Sequence, residues 1–203
     1  METIIFVDGS NLYHSIQETG FKPNYINYHK LFEKISNETN PTVRFYITAL
    51  TKSFSEKERA SQQSFFSILK KNPNLSIHFG KLQKTRISNH QKKQVINSLG
   101  FCKKCIYKAK TLLDSFSTAN FKEKGVDVRI AVDLVTLKNF ERAILISGDT
   151  DLVPAVEIAS KNKRIINAYS DLTSGKQLRD VCTGTFRITG DLLKNCLNYR
   201  THR

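Results

Sequence analysis

From Arg59 to Leu113 the chain has no acidic residue at all, while Lys or Arg stands at 59, 70, 71, 81, 84, 86, 92, 93, 103, 104, 108 and 110. A stretch of 55 residues without Asp or Glu has no local carboxylates to neutralise its cations. That is more than the solubility of a hydrated face requires, and it points to a polyanionic partner. The whole chain leans the same way, with 32 Lys and Arg against 18 Asp and Glu, a net charge of +14 and a pI near 9.7.

Other absences narrow the class. No stretch approaches the roughly 18–20 apolar residues of a membrane span, so no membrane partner is expected. The N-terminal apolar run Ile4 to Val7 is too short for a signal peptide and lacks a basic flank and a small-residue cleavage site. The four cysteines, Cys102, Cys105, Cys182 and Cys196, have no framework-like spacing and read as reduced thiols of a cytoplasmic protein. No Pro/Gly/Ser-rich spacer or repeat divides the 203 residues. A single domain over 1–203 is expected, with a basic insertion or flap at about 83–121. The sequence leaves the oligomeric state open, a homodimer included.

What is present is an alternation of strand and helix patterns. Strands are expected at Thr3–Val7, Val43–Leu50, Leu75–Leu82, Arg142–Ile146 and Arg164–Ala168. Helices are expected from near Asn11, at Tyr28–Ile35, at Ser55–Lys70, at Lys124–Leu137, at Asp151–Lys161 and at Gly190–Leu197. Such alternation predicts an α/β fold, a parallel sheet covered on both faces.

Four aspartates fall where such a sheet gathers ligands, beyond the carboxyl ends of its strands. Asp8 closes Ile4-Ile5-Phe6-Val7, Asp127 opens a helix, and Asp149 and Asp151 follow Ala143-Ile144-Leu145-Ile146. Oxygen ligands of this kind suit Mg2+ or Mn2+, which leave coordination sites for a phosphodiester. In Asp8-Gly9-Ser10-Asn11, Gly9 permits a sharp turn, the helix N-terminus offers N–H groups to an anion, and the Asn11 amide suits orienting a water or a carboxylate. In Ser147-Gly148-Asp149-Thr150-Asp151 one aspartate suffices as an N-cap, which leaves a second carboxylate for another task. Asp133 shares a helix with Asp127, but six residues at about 100° each set them roughly 240° apart. Asp127 is therefore the expected ligand, and an intrahelical Arg129–Asp133 pair accounts for Asp133.

Phe6-Val7-Asp8-Gly9-Ser10-Asn11-Leu12, Lys124-Gly125-Val126-Asp127-Val128 and Ile146-Ser147-Gly148-Asp149-Thr150-Asp151-Leu152-Val153-Pro154 together resemble the NYN family of PIN-like nucleases, in particular its LabA-like branch. The resemblance spans residues 4 to 168. It implies a three-layer α/β/α sandwich with a central parallel sheet and metal-dependent endonucleolytic cleavage, usually of RNA. It also implies that Asp8, Asn11, Asp127, Asp149 and Asp151 form an acidic pocket with Ser10 and Ser147 in support. PIN nucleases often carry one more acidic residue on an early helix, for which Glu33 and Glu38 are the loose candidates.

The expected activity is thus that of a metal-dependent endoribonuclease, with Asp8, Asp127, Asp149 and Asp151 as ligands of Mg2+ or Mn2+. Lys81, Lys84, Arg86, Lys92, Lys93, Lys103, Lys104, Lys108 and Lys110 are the expected phosphate contacts to a single-stranded or structured RNA. Phe101 and Tyr107 are placed either to stack on bases or to fill the core of the insertion. The alternative is a non-catalytic RNA-binding regulator that retains the nuclease fold. An aspartyl phosphatase would want Asp where Ser10 stands, and the first turn lacks the Gly-x-Gly-x-x-Gly of a dinucleotide site. Cys102-Lys103-Lys104-Cys105, even with His78 and His90, fits no zinc-ribbon spacing and reads as two free thiols.

Overall fold

The computed structural model describes residues 2–85, 89–98, 100, 102–115, 120–170 and 175–198. In chain order the elements are β1 (Thr3–Asp8), α1 (Gly9–Glu18), α2 (Tyr28–Ser36), β2 (Thr42–Ile47), α3 (Glu56–Leu69), β3 (Leu75–Phe79), β4 (Lys81–Thr85), α4 (Asn89–Ser98), α5 (Lys103–Ser115), β5 (Asn120–Lys124), α6 (Val126–Thr136), β6 (Arg142–Ile146), α7 (Val153–Ala159), β7 (Arg164–Tyr169), α8 (Lys176–Val181), β8 (Gly184–Arg187) and α9 (Gly190–Lys194).

Every residue of β1 is buried, as expected of a strand covered on both faces in the middle of a sheet. The main sheet has the order β3-β2-β1-β6-β7-β8, and each neighbouring pair is parallel. On one side Ile5, Val7, Phe45 and Ile146 pack against Leu12 and Ile16 of α1, Phe32 of α2, Phe65 of α3 and Leu193 of α9. On the other, Ile4, Phe6 and Leu145 pack against Val126, Ile130 and Leu134 of α6, Val156 of α7 and Leu178 of α8. This is a three-layer α/β/α sandwich. The chain moves outward from β1 through β2 to β3, then crosses back to lay β6 on the other flank of β1. The topological switch point therefore lies between β1 and β6, which is where an open parallel sheet leaves a crevice at its carboxyl edge.

Local chemistry sets the helix boundaries. The Asn27 side chain accepts from Lys30 N–H at 3.0 Å to start α2, and Asn37, with φ of 58°, ends it in the left-handed region. Ser55 and Glu58 close a reciprocal capping box at the start of α3. Pro154 sits in the first turn of α7, where its missing N–H costs nothing.

Two boundaries and two short elements stand out against those expected of the sequence. The run Leu75–Leu82 is divided at Gly80 between β3, in the main sheet, and β4, which pairs with β5. A side chain at Gly80 would stand 2.7 Å from Thr48 Oγ1 and 2.8 Å from Val126 Cγ2, so the close approach of these segments requires glycine. Lys124 ends β5 instead of opening a helix, because Gly125 turns the chain with φ of 82°. The short α8 and β8 carry too few residues to show a period, and they are held by pairing of β8 with β7.

Residues Leu82–Glu123 form one compact unit and the rest of the chain another. Within the smaller unit α4 packs on α5, and β4 and β5 make a two-stranded sheet. Arg86 and Phe101 lie outside the described residues, as do the side chains of Lys84, His90 and Lys92. Among the described residues no helix is long and apolar enough to cross a membrane.

Candidate active site at the switch point

Asp8 ends β1 on the switch-point flank and is only 6% exposed. One carboxylate oxygen caps α1, accepting from Asn11 N–H at 3.0 Å, and the other accepts from Ser147 Oγ at 3.2 Å. Ser147 follows β6 and is itself buried. Its Oγ accepts from Asp149 N–H at 3.1 Å, and Asp149 Oδ1 in turn accepts from Asp151 N–H at 2.9 Å. One hydrogen-bonded chain thus joins Asp8, Asn11, Ser147, Asp149 and Asp151 across the two strands that flank the crevice. Asp149 takes the capping role of the following 3-10 turn, Thr150–Leu152, so the carboxylate left outside the cap is that of the exposed Asp151. Asp127 lies in the first turn of α6, which packs on β1 and on that 3-10 turn.

Gly9, expected from the sequence to permit a turn, and Asn167, which the sequence did not single out, shape this edge. Gly9 lets α1 approach β2 closely, since a Cβ there would stand 2.8 Å from Tyr46 O and nearer still to the Phe45 ring. Gly9→Ala is therefore expected to lower stability by about 1–3 kcal/mol, the usual range for overpacking, measured as a drop in urea midpoint at constant m. Asn167 of β7 is fully buried and donates from Nδ2 to Leu145 O at 3.0 Å and to Ser147 O at 2.9 Å. It braces the end of β6 that carries Ser147. An Asn amid Arg164-Ile165-Ile166-Asn167-Ala168 was the available signal, because a polar side chain in a buried strand needs a partner.

The donors at this edge are all oxygens, the set preferred by hard divalent cations. Among the described residues no three His, Cys, Asp or Glu side chains are gathered closely enough to hold an ion between them. The four aspartates are thus not drawn into one cage. What they fit is an ion that keeps several waters and takes one or two carboxylates directly, as Mg2+ commonly does. A carboxylate oxygen has two lone pairs, so its hydrogen bonds to Asn11 and Ser147 do not bar Asp8 from such an ion.

A family model described as the NYN domain matches residues 2–189. The chain belongs to the NYN domain family. A crystal structure of a protein of unknown function from Vibrio parahaemolyticus RIMD 2210633 is similar in fold, with a TM-score of 0.56 at 17% identity over 94% of each chain. No curated protein matches the chain in sequence.

The remaining candidates of this NYN domain lie elsewhere. Glu38 accepts from Thr3 Oγ1 and faces Arg142 at 3.5 Å, at the amino end of β1 and β6, the opposite edge of the sheet from Asp8. Glu33 accepts from Asn40 N–H and faces His29. Neither supplies a further acidic group to the crevice. Asp133 does turn away from Asp127, but its partner is not Arg129. Its Oδ2 accepts from Arg44 Nη2 at 2.7 Å and from Tyr46 OH at 2.6 Å, two residues of β2. The Tyr46 ring stacks on His78, whose Nε2 lies 2.9 Å from Ser76 Oγ.

This cluster ties α6, and with it Asp127, to the sheet. Partial burial pushes the Asp133 carboxyl up, but the Tyr46 hydroxyl and Arg44 guanidinium outweigh it and hold the group below the usual carboxylate range. A carboxyl with a depressed folded-state pKa contributes stability above its unfolded value of about 3.9, and that contribution is lost as pH falls through the folded value. Asp133→Asn is expected to cost about 2–3 kcal/mol at pH 7, the scale of a charge-assisted hydrogen bond in a partly buried network. The gap between the melting curves of parent and variant should close below about pH 4. A gap that stays constant down to about pH 2 would show that charge at Asp133 is not what anchors the helix.

Proposed function

We propose that the protein is a metal-dependent endoribonuclease of the LabA-like kind, acting at the crevice between β1 and β6. The observation that carries the reading is the hydrogen-bonded chain from Asp8 through Ser147 to Asp149 and Asp151 at the switch point. Asp8 and Asp149 would hold Mg2+ or Mn2+ directly, with Asp127 and Asp151 reaching it or positioning its waters, and Asn11 and Ser10 supporting the first turn of α1. The ion would lower the pKa of a bound water and stabilise charge on the phosphodiester. Ser147 keeps the two carboxylate-bearing strand ends in register, and the N–H groups at the start of α1 favour an anion beside them.

The smaller unit supports a nucleic-acid substrate. Lys93, Lys103, Lys104, Lys108 and Lys110 are exposed. Tyr107 is 75% exposed, so it is not a core residue of the insertion. On α5 it stands one turn from Lys103, Lys104 and Lys110, an aromatic face ringed by cations, which suits stacking and phosphate contact along a single strand.

A second reading is an RNA-binding regulator with little turnover, for which the exposed cations and Tyr107 of α5 suffice without the carboxylates. One assay separates the two. Purified protein is incubated with end-labelled single- and double-stranded RNA and DNA in Mn2+, Mg2+ or EDTA. Cleavage of RNA that needs the metal supports the nuclease, whereas retention of RNA without metal-dependent cleavage supports the regulator.

A further inference from the structure

The two sulfurs at the start of α5 take no part in metal or strand binding as proposed for this domain. Ile106 N–H donates to Cys102 O at 2.9 Å, which makes Cys102 the cap of the helix. Its sulfur faces the backbone N–H groups of Cys105 and Lys104 and the Cys105 thiol. Cap and third helical residue are neighbours at any helix start, and here both carry sulfur. Both thiols are free and exposed, with exposed Lys103 and Lys104 between them.

We propose that Cys102 and Cys105 form a reactive dithiol that exchanges with small-molecule disulfides and closes to an intramolecular disulfide, with Cys102 attacking and Cys105 resolving. The Cys102 thiolate attacks one sulfur of a disulfide RSSR, forming a mixed disulfide and releasing one thiolate RS−. The Cys105 thiol then gives up its proton and attacks the Cys102 sulfur, expelling the second RS−. The protein loses two electrons and two protons, and RSSR becomes two RSH.

The helix start supplies what this needs. The Cys105 N–H and thiol and the Lys104 N–H hold the Cys102 thiol below the usual cysteine range, and the hydrogen bond to Cys102 holds Cys105 above it. That division suits one attacking and one resolving sulfur. Residues one helical turn apart have Cβ atoms about 5–6 Å apart, so closing the bond asks for only a modest shift of the cap. Zinc fits the pair less well. A structural site wants four ligands, and among the described residues no third His, Cys, Asp or Glu joins the two sulfurs. His78 is engaged by Ser76 and Tyr46 on the main sheet.

Cys182 and Cys196 serve as internal controls, because burial pushes Cys182 up to about 11 and also raises Cys196. The full chain is labelled with iodoacetamide at neutral pH and read by peptide mass. Cys102 is expected to react about tenfold faster than Cys105, and both faster than Cys182 and Cys196. In glutathione disulfide the unaltered chain should lose two hydrogens from the peptide that holds both cysteines. Cys105→Ser should stop at one glutathionyl group on Cys102, and Cys102→Ser should acquire glutathione far more slowly. Equal labelling of Cys102 and Cys105, a mixed disulfide that persists in the unaltered chain, or copurifying zinc that blocks labelling would each overturn the proposal.

Discussion

Asp149→Asn and Asp8→Asn are each expected to lower metal-dependent RNA cleavage by about 10³-fold or more, the scale of losing several kcal/mol of charge stabilisation at the reacting phosphate. The structure makes these clean substitutions. An amide at position 149 keeps an oxygen to accept from Asp151 N–H. An amide at position 8 keeps one for Asn11 N–H, while its NH2 group can donate to Ser147 Oγ. The caps survive, so melting temperatures should hold within a few degrees or rise, since a negative charge is removed from an acidic edge. Asp133→Asn should instead lose stability while retaining most of its cleavage rate at a temperature where it is folded. If both edge variants cleave at the parental rate with the parental metal requirement, the site is not at the β1–β6 crevice.

Replacing Lys103, Lys104, Lys108 and Lys110 together with Ala is expected to weaken single-stranded RNA binding and to flatten its salt dependence. Each phosphate neutralised on a single strand contributes about 0.7 to the slope of log K against log salt, so removing all four cations should reduce the slope by about 3. Tyr107→Ala should act differently, costing about 1–3 kcal/mol of binding with the slope unchanged, because stacking releases no counterions. Dissociation constants across a salt series separate the two effects. An unchanged affinity and slope in the quadruple variant would leave this helix face as solvated surface. The rate at saturating RNA should be the same in all three proteins, since these residues are proposed to hold the strand and not to touch the reacting phosphate.

The central strands were legible because β1, β6 and β7 are short apolar runs ended by turn residues, and Asp8 and Asp149 were legible because they stand at those ends. What stayed hidden was non-local. Arg129 is four residues from Asp133 and looked sufficient, whereas Arg44 is 89 positions away and comes near only once α6 lies on β2. Gly80 reads as one more residue of a strand until Thr48 and Val126 are seen to crowd it. The segment 83–121 has an irregular apolar pattern, and its helices α4 and α5 belong to a compact unit of their own. Its exposed Tyr107 therefore could not be told from a buried one. The division of labour between Asp149 and Asp151 is likewise set by backbone turn geometry, which the sequence Asp149-Thr150-Asp151 does not state.

The bond from Ser147 to Asp8 spans 139 residues, and the strands it joins are parallel neighbours. During synthesis β1 emerges before β6 and waits for it while the 139 positions that separate Asp8 from Ser147 are made. A nascent or truncated chain that stops short of Ser147 lacks the assembled carboxylate edge altogether. It also leaves one side of β1 without its neighbour, an apolar edge open to pairing with another chain. N-terminal fragments ending before β6 should consequently aggregate on release.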